Sequence, residues 1–376
     1  MKNRQLCRRV NRNAIKKIPL SLSGFCSIIL VFTSVIFLTA CSDGAGGTDR
    51  QVTLYTAGVC DKAGVREACY WTDTLRTELP VPEGAEYPYA RKITAANNTI
   101  YTAGTYEVSG KQKACFWTGT TRTDLPVPDG VTEFGASGIT VINDTVYTSG
   151  VYDIFPDPRP CYWTGTTFTD LPIPDGAMIA YTSGITVVDD TVYTVGGYYV
   201  KLDASKPCYW TGTIRTDLPG PDGGEFPEEL AYTNGITVAN NTVYVSGYYR
   251  DSGVYKPCYW NGTTFTVLPV PDGTSESYTT GITVENNTVY TSGYYRKSDI
   301  AKPCYWTGTI RTDLPFQSGV QSTLTSGITV EDNVVYTTGH FYSYKWKACY
   351  WTNTVRSDIE IGDNSLGNLS GFVIVK

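Results

Sequence analysis

The side chains able to do proton, redox or metal chemistry in this 376-residue chain are a single histidine, 11 cysteines, 36 acids and 29 tyrosines. With one histidine, His340, a histidine cluster for zinc is excluded, and His340 stands where other copies carry Tyr248 and Tyr294, so it reads as a substituted aromatic and not as a catalytic base. Cysteines in this number would suit a disulfide framework, and paired acids would suit general acid–base catalysis. Their spacing argues against both. Cys69, Cys115, Cys161, Cys208, Cys258, Cys304 and Cys349 each open a Cys-aromatic-Trp triplet, at intervals of 46, 46, 47, 50, 46 and 45 residues. Glu78, Asp124, Asp170, Asp217, Asp313 and Asp358 recur in the same register. Asn143-Asp144 and Asp189-Asp190 stand where Asn97-Asn98 and Asn286-Asn287 stand in other copies. They are turn formers, not a carboxylate pair. No phosphate-cradling glycine loop or EF-hand pattern occurs, and no cofactor or metal is expected. A residue present in every copy serves the fold, so a site is expected where copies differ.

The elements that must position these residues are short strands. In the copy around Cys304, Gly281–Val284 alternates as strand A, and Thr288–Tyr295 is strand B. Pro303–Thr307 is strand C and Ile310–Leu314 is strand D, with Asn, Asp and Gly in the turns. No helical period follows residue 50. Four strands per unit of about 46 residues predict an all-β, seven-bladed propeller over residues 51–376. Residues 51–58 match strand B, and Ser370–Lys376 (SGFVIVK) matches strand A (SGITV). The C-terminal strand is therefore expected to complete the N-terminal blade and close the ring, removing open sheet edges. The triplet tryptophans are expected to pack blade against blade.

Residues 1–17 carry seven basic residues and no acid, and an apolar run follows from Ile18 to Ala40. Leu38-Thr39-Ala40-Cys41 resembles the lipobox of bacterial lipoproteins. The resemblance implies a signal peptide over 1–40, lipidation of Cys41 and a flexible tether over 41–50; the alternative for the apolar run is an uncleaved signal-anchor helix. The resemblance also implies a membrane attachment through lipid, and Ser42 implies the outer membrane. Without the signal, 23 basic residues face 36 acids, so nucleic acid is excluded as a partner. A monomer is expected. Cys60 has no counterpart in other copies and lies nine residues before Cys69 in the next strand of one hairpin. The two are expected either to form a cross-strand disulfide or to remain thiols.

Tyr70-Trp71-Thr72-Asp73 resembles the YWTD repeat of lipoprotein-receptor propellers, although other copies read YWTG, FWTG, YWNG or YWTN. The longer CYWTGTxRTDLPVPDG pattern is similar to tryptophan–glycine repeats of bacterial exported propellers. Both resemblances imply a fold, not an activity. The B–C connections (107–113, 153–160, 296–302) and the D–A connections (223–234, 318–326) are expected to be the long, variable loops of one face. Candidate binding residues there are Tyr87, Tyr89, Phe134, Phe155, Tyr181, Phe226, Tyr232, Tyr255, Tyr278, His340, Phe341, Tyr342 and Tyr344. Aromatic residues at such positions suit a protein or a glycan ligand. A non-catalytic binding or scaffold module is therefore expected. The alternative is a polysaccharide-active enzyme, a lyase or glycosidase, with its site on the same face.

Overall fold

The computed structural model describes residues 53–375, except 63–64, 132, 155–156, 202–203, 227–229, 318, 321, 344 and 360–368. The signal peptide, Cys41 and the tether expected over 1–50 lie outside the described residues, as do Phe155 and Tyr344.

Alternating Val, Ile, Thr and Tyr build seven four-stranded antiparallel sheets, the last two joined by one parallel bridge from Ala301 to Ser322. In blade 1, strands A to D are Leu369–Val375, Thr53–Lys62, Val65–Thr72 and Leu75–Leu79. The chain ends thus meet in one sheet, with Thr53 opposite Val375 and Thr56 opposite Phe372. Blades 2 to 7 occupy 86–124, 133–170, 179–217, 231–267, 276–313 and 322–359, with strands A to D in chain order. Strand A of every blade touches strand A of the next, from blade 1 round to blade 7 and back. The A strands therefore line the axis, and the ring is closed.

The triplet tryptophans do more than fill space between blades. The indole Nε1–H of Trp117, Trp163, Trp210, Trp260, Trp306 and Trp351 donates to a proline carbonyl of the preceding blade's exit, at 2.6–2.9 Å. The acceptors are Pro80, Pro126, Pro172, Pro219, Pro269 and Pro315. All six indoles are fully buried. A glycine of strand B makes room for the ring. A Cβ on Gly247 would come within 2.1 Å of the Tyr232 carbonyl oxygen and 2.8 Å of the Trp260 ring.

One expectation needs correction. The B–C connections are not long loops. Lys297 pairs with Ile300 across a two-residue turn, Ser298-Asp299, in which both φ angles are positive (51° and 62°). Ser109-Gly110 and Ser252-Gly253 turn in the same way. Strands B and C continue through their charged ends because Arg296 and Lys297 still have cross-strand partners. Only the D–A connections are long, and each carries, within two residues of strand D, the proline that accepts an indole or, after strand D of blade 7, lies outside the described residues.

Two outcomes test this architecture. Deleting residues 369–376 should leave blade 1 with three strands and melt the whole domain well below the intact chain; equal melting temperatures would refute ring closure. Trp260→Phe, which orphans the Pro219 carbonyl, should cost on the order of 1–3 kcal/mol in urea denaturation.

Candidate functional site

Most titratable groups are held in repeated structural arrangements. The Tyr106 hydroxyl donates to Asp124 at 2.9 Å, and the Arg122 Nε donates to the same carboxylate at 2.8 Å. The guanidinium also lies 5.3 Å from the centre of the Tyr106 ring. Tyr198, Asp217 and Arg215 repeat the set in blade 4, and Tyr152 bonds Asp170 in blade 3. Burial, then the Asp124 hydrogen bond, pushes the Tyr106 phenol well above its usual range. Burial likewise pushes the thiols of Cys115, Cys161, Cys208, Cys258 and Cys304 upward. Such thiols are small hydrophobes, not nucleophiles. In blade 1, Cys60 occupies the place of Tyr106 and is bonded to Cys69, with Cα atoms 6.2 Å apart.

The face carrying the D–A connections and B–C hairpins is organised around tyrosines. In blades 4 to 6, seven half-buried rings run in one arc, most pairs tilted and the two from Tyr248 to Tyr255 and Tyr278 edge to face. Tyr181 meets Tyr199 at 6.3 Å, Tyr199 meets Tyr232 at 6.5 Å, and Tyr232 meets Tyr248 at 5.1 Å. Tyr248 meets Tyr255 at 5.5 Å and Tyr278 at 4.8 Å, and Tyr278 meets Tyr294 at 5.3 Å. Of the residues expected to form a site, the structure brings Tyr181, Tyr232, Tyr255 and Tyr278 together. Tyr199, Tyr248 and Tyr294 complete the arc, and the alternating Tyr-Tyr pairs at the ends of strand B are the signal for them. Burial holds Tyr248 up at about 12, and burial with the Glu276 hydrogen bond (2.8 Å) pushes Tyr278 up as well. These phenols stay neutral and can both donate and accept hydrogen bonds.

The other expected residues divide. Tyr87 is 63% exposed in strand A of blade 2, and Tyr89 lies under the Arg91 guanidinium at 5.3 Å. Phe134, Phe226 and Phe341 are buried, which corrects their placement on an exposed rim. Phe226 packs against Tyr249, Trp260 and Phe265, and Phe341 packs under Arg356 at 4.3 Å. His340 and Tyr342 are half-buried in strand B of blade 7. His340 Nδ1 lies 3.1 Å from the Ser326 Oγ, and burial lowers its pKa to about 4. The Ser326 position is Ser137 in blade 3 and Ser183 in blade 4, where it bonds a threonine of the next blade. The Ser–His contact is therefore one variant of a repeated hydroxyl belt around the axis.

Blade 2 departs from this pattern. Arg91 takes the place of the belt serine, and Lys92 takes the place of Gly138, Gly184, Gly235, Gly281 and Gly327. Burial lowers the Lys92 pKa. Between blades 2 and 3 lies a cavity of about 330 Å³, lined in part by Arg91, Gln112, Gly135, Val151 and Asp153. None of these five stands out when a single copy is read alone.

No protein-family model and no curated protein matches the chain. Among solved structures it is similar to a puromycin-hydrolyzing peptidase of Mycobacterium tuberculosis, with 8% identity and a TM-score of 0.52. That likeness covers 84% of this chain and 53% of the peptidase, so this chain spans about half the peptidase's length. It is also similar to the SapL1 lectin in complex with alpha methyl fucoside (13% identity, TM-score 0.43, 75% of this chain and 98% of the lectin). A third is the Pseudomonas aeruginosa periplasmic gluconolactonase PpgL (9% identity, TM-score 0.48, 87% and 99%). At these identities the likeness speaks to fold alone.

The histidine yields a pH prediction. Its folded pKa of about 4 lies below the ordinary 6.5, so the unfolded chain binds the extra proton. The stability that neutral His340 contributes is present above pH 6.5 and is lost as pH falls toward 4. His340→Tyr, the residue of blades 5 and 6, should flatten that part of a plot of denaturation midpoint against pH.

Proposed function

We propose that this protein is a glycan-binding module of a bacterial cell envelope, attached through a lipid on Cys41, that holds its ligand without turning it over. The seven-tyrosine arc is the observation that carries this reading. It sets flat apolar rings and neutral hydroxyls side by side on a rigid scaffold. A sugar presents the same two features, a C–H face and a ring of hydroxyls. The acidic balance of the chain beyond the signal, 23 basic residues against 36 acids, favours neutral glycans over polyanions. The hydroxyl-bonded Tyr106, Tyr152 and Tyr198 sets occupy carboxylates that acid–base catalysis would need free.

The test is binding of the purified full-length chain to immobilised neutral polysaccharides. Tyr248→Ala and Tyr255→Ala should each weaken retention at least about tenfold. Ile310→Ser, beside a C–D turn of the opposite face, should not change it. Absence of retention on the whole panel would overturn the reading. Release of new reducing ends by the wild type, lost in the tyrosine variants, would favour the polysaccharide-active enzyme instead.

A further inference from the structure

The repeat allows the same three-dimensional position to be compared at different blade boundaries. At the boundary of blades 5 and 6 the space near the face is filled. Tyr255 of strand C meets Tyr278 of the next strand A at 5.6 Å, and Tyr278 meets Tyr294 of strand B at 5.3 Å. Two residues further along strand B, Arg296 donates to Glu276 at 2.7 Å. The boundary of blades 2 and 3 carries Gln112, Gly135, Val151 and Asp153 at those four positions. Three tyrosines have become an amide, a hydrogen atom and an isopropyl group. Arginine has become a carboxylate.

All four of these exchanged residues line the cavity of about 330 Å³. It is within the size range of small-molecule sites. Two further exchanges equip it. Ala136 replaces the threonine that, as Thr182, Thr233 and Thr279, bonds a carbonyl of the preceding blade. Arg91 replaces the belt serine and is exposed at the cavity's edge. Asp153 Oδ1 is buried in this lining and accepts no hydrogen bond from the described residues. A buried carboxylate oxygen without a donor is costly, which makes it a marker of a missing ligand group.

We propose that this cavity is a subsite for one neutral sugar residue, the specificity-determining end of the glycan site proposed above, on which this inference rests. Asp153 accepts hydrogen bonds from ligand hydroxyls, Arg91 donates to a hydroxyl or ring oxygen, and Gln112 does either. Val151, Pro158 and the edge of Phe134 take the C–H face. The pairing of one cation with one anion in the lining selects a ligand whose groups both donate and accept. A hydroxyl does so without bringing a charge.

The test uses the full-length chain with free neutral hexoses, deoxyhexoses and N-acetylhexosamines, and with free amino acids as a zwitterionic control. Binding is read by saturation-transfer NMR and titration calorimetry. At least one neutral monosaccharide should bind the wild type. Gly135→Tyr should weaken that binding at least tenfold by restoring the bulk of blades 4 to 6. A Cβ there meets nothing closer than 3.5 Å, so the variant has room to fold. Asp153→Ala, a smaller change, should give a similar loss. Unaltered monosaccharide binding in both variants, no monosaccharide binding at all, or binding of amino acids alone would overturn the subsite. Polysaccharide retention that depends on Tyr248 but is indifferent to Gly135→Tyr would overturn the subsite and leave the broader reading standing. Loss of all retention by the wild type would remove both.

Discussion

The indole-to-proline hydrogen bond between blades is the contact on which the rest of the structure depends. A propeller sheet is covered on both faces by its neighbours, so the main force between blades is apolar burial, which has no direction of its own. The Nε1–H bond supplies direction. It ties strand C of one blade to a proline within two residues of the end of strand D of the blade before, fixing both spacing and rotation. It also requires that strand B lack a side chain beneath the ring, which Gly104, Gly150, Gly247, Gly293 and Gly339 satisfy. A Trp, a Gly and a Pro from three different parts of the repeat therefore act as one unit.

That unit explains what was legible in the sequence. The triplet recurs because each indole needs the same surroundings, so its interval reveals blade number and strand order. Closure was legible too, because a B strand without an A and an A strand without a B are complementary fragments. The reach of strands B and C was not. Arg296, Lys297 and Lys302 read as loop residues by polarity, whereas in the blade they are the charged ends of a hairpin, each with a cross-strand partner. Phe226 misleads in the opposite way. It sits in a connection and reads as rim, yet it packs beneath blade 5, where Val267 and Phe265 stand in place of Asp and Arg. With no carboxylate for Tyr249 to bond, the blade uses ring contacts instead.

The candidate site was half legible for a related reason. Tyrosines announce themselves singly, so Tyr181, Tyr232, Tyr255 and Tyr278 could be named, although only the three-dimensional register makes them neighbours. The cavity at the boundary of blades 2 and 3 is formed by small or ordinary residues. Gly135, Ala136 and Val151 look like weak copies of the repeat when read along the chain. Their meaning lies in what they fail to fill.

The position of that cavity also accounts for how the ring tolerates it. Near the axis, the boundary of blades 2 and 3 lacks a belt bond of the kind that joins Ser137 to Thr182 at 2.6 Å and Ser183 to Thr233 at 2.9 Å. The clamp further out is intact, since Trp163 still donates to the Pro126 carbonyl at 2.6 Å. A neutral hydrogen bond is worth roughly 0.5–1.5 kcal/mol net, so losing one from the belt is a small loss beside a fully buried indole. Stability and the proposed recognition are thus carried at different radii of the same boundary. Substitutions near the axial face can vary from blade to blade while the Trp-Gly-Pro unit stays constant, and this separation lets one repeat present an arc of tyrosines in three blades and an open, charged cavity in another.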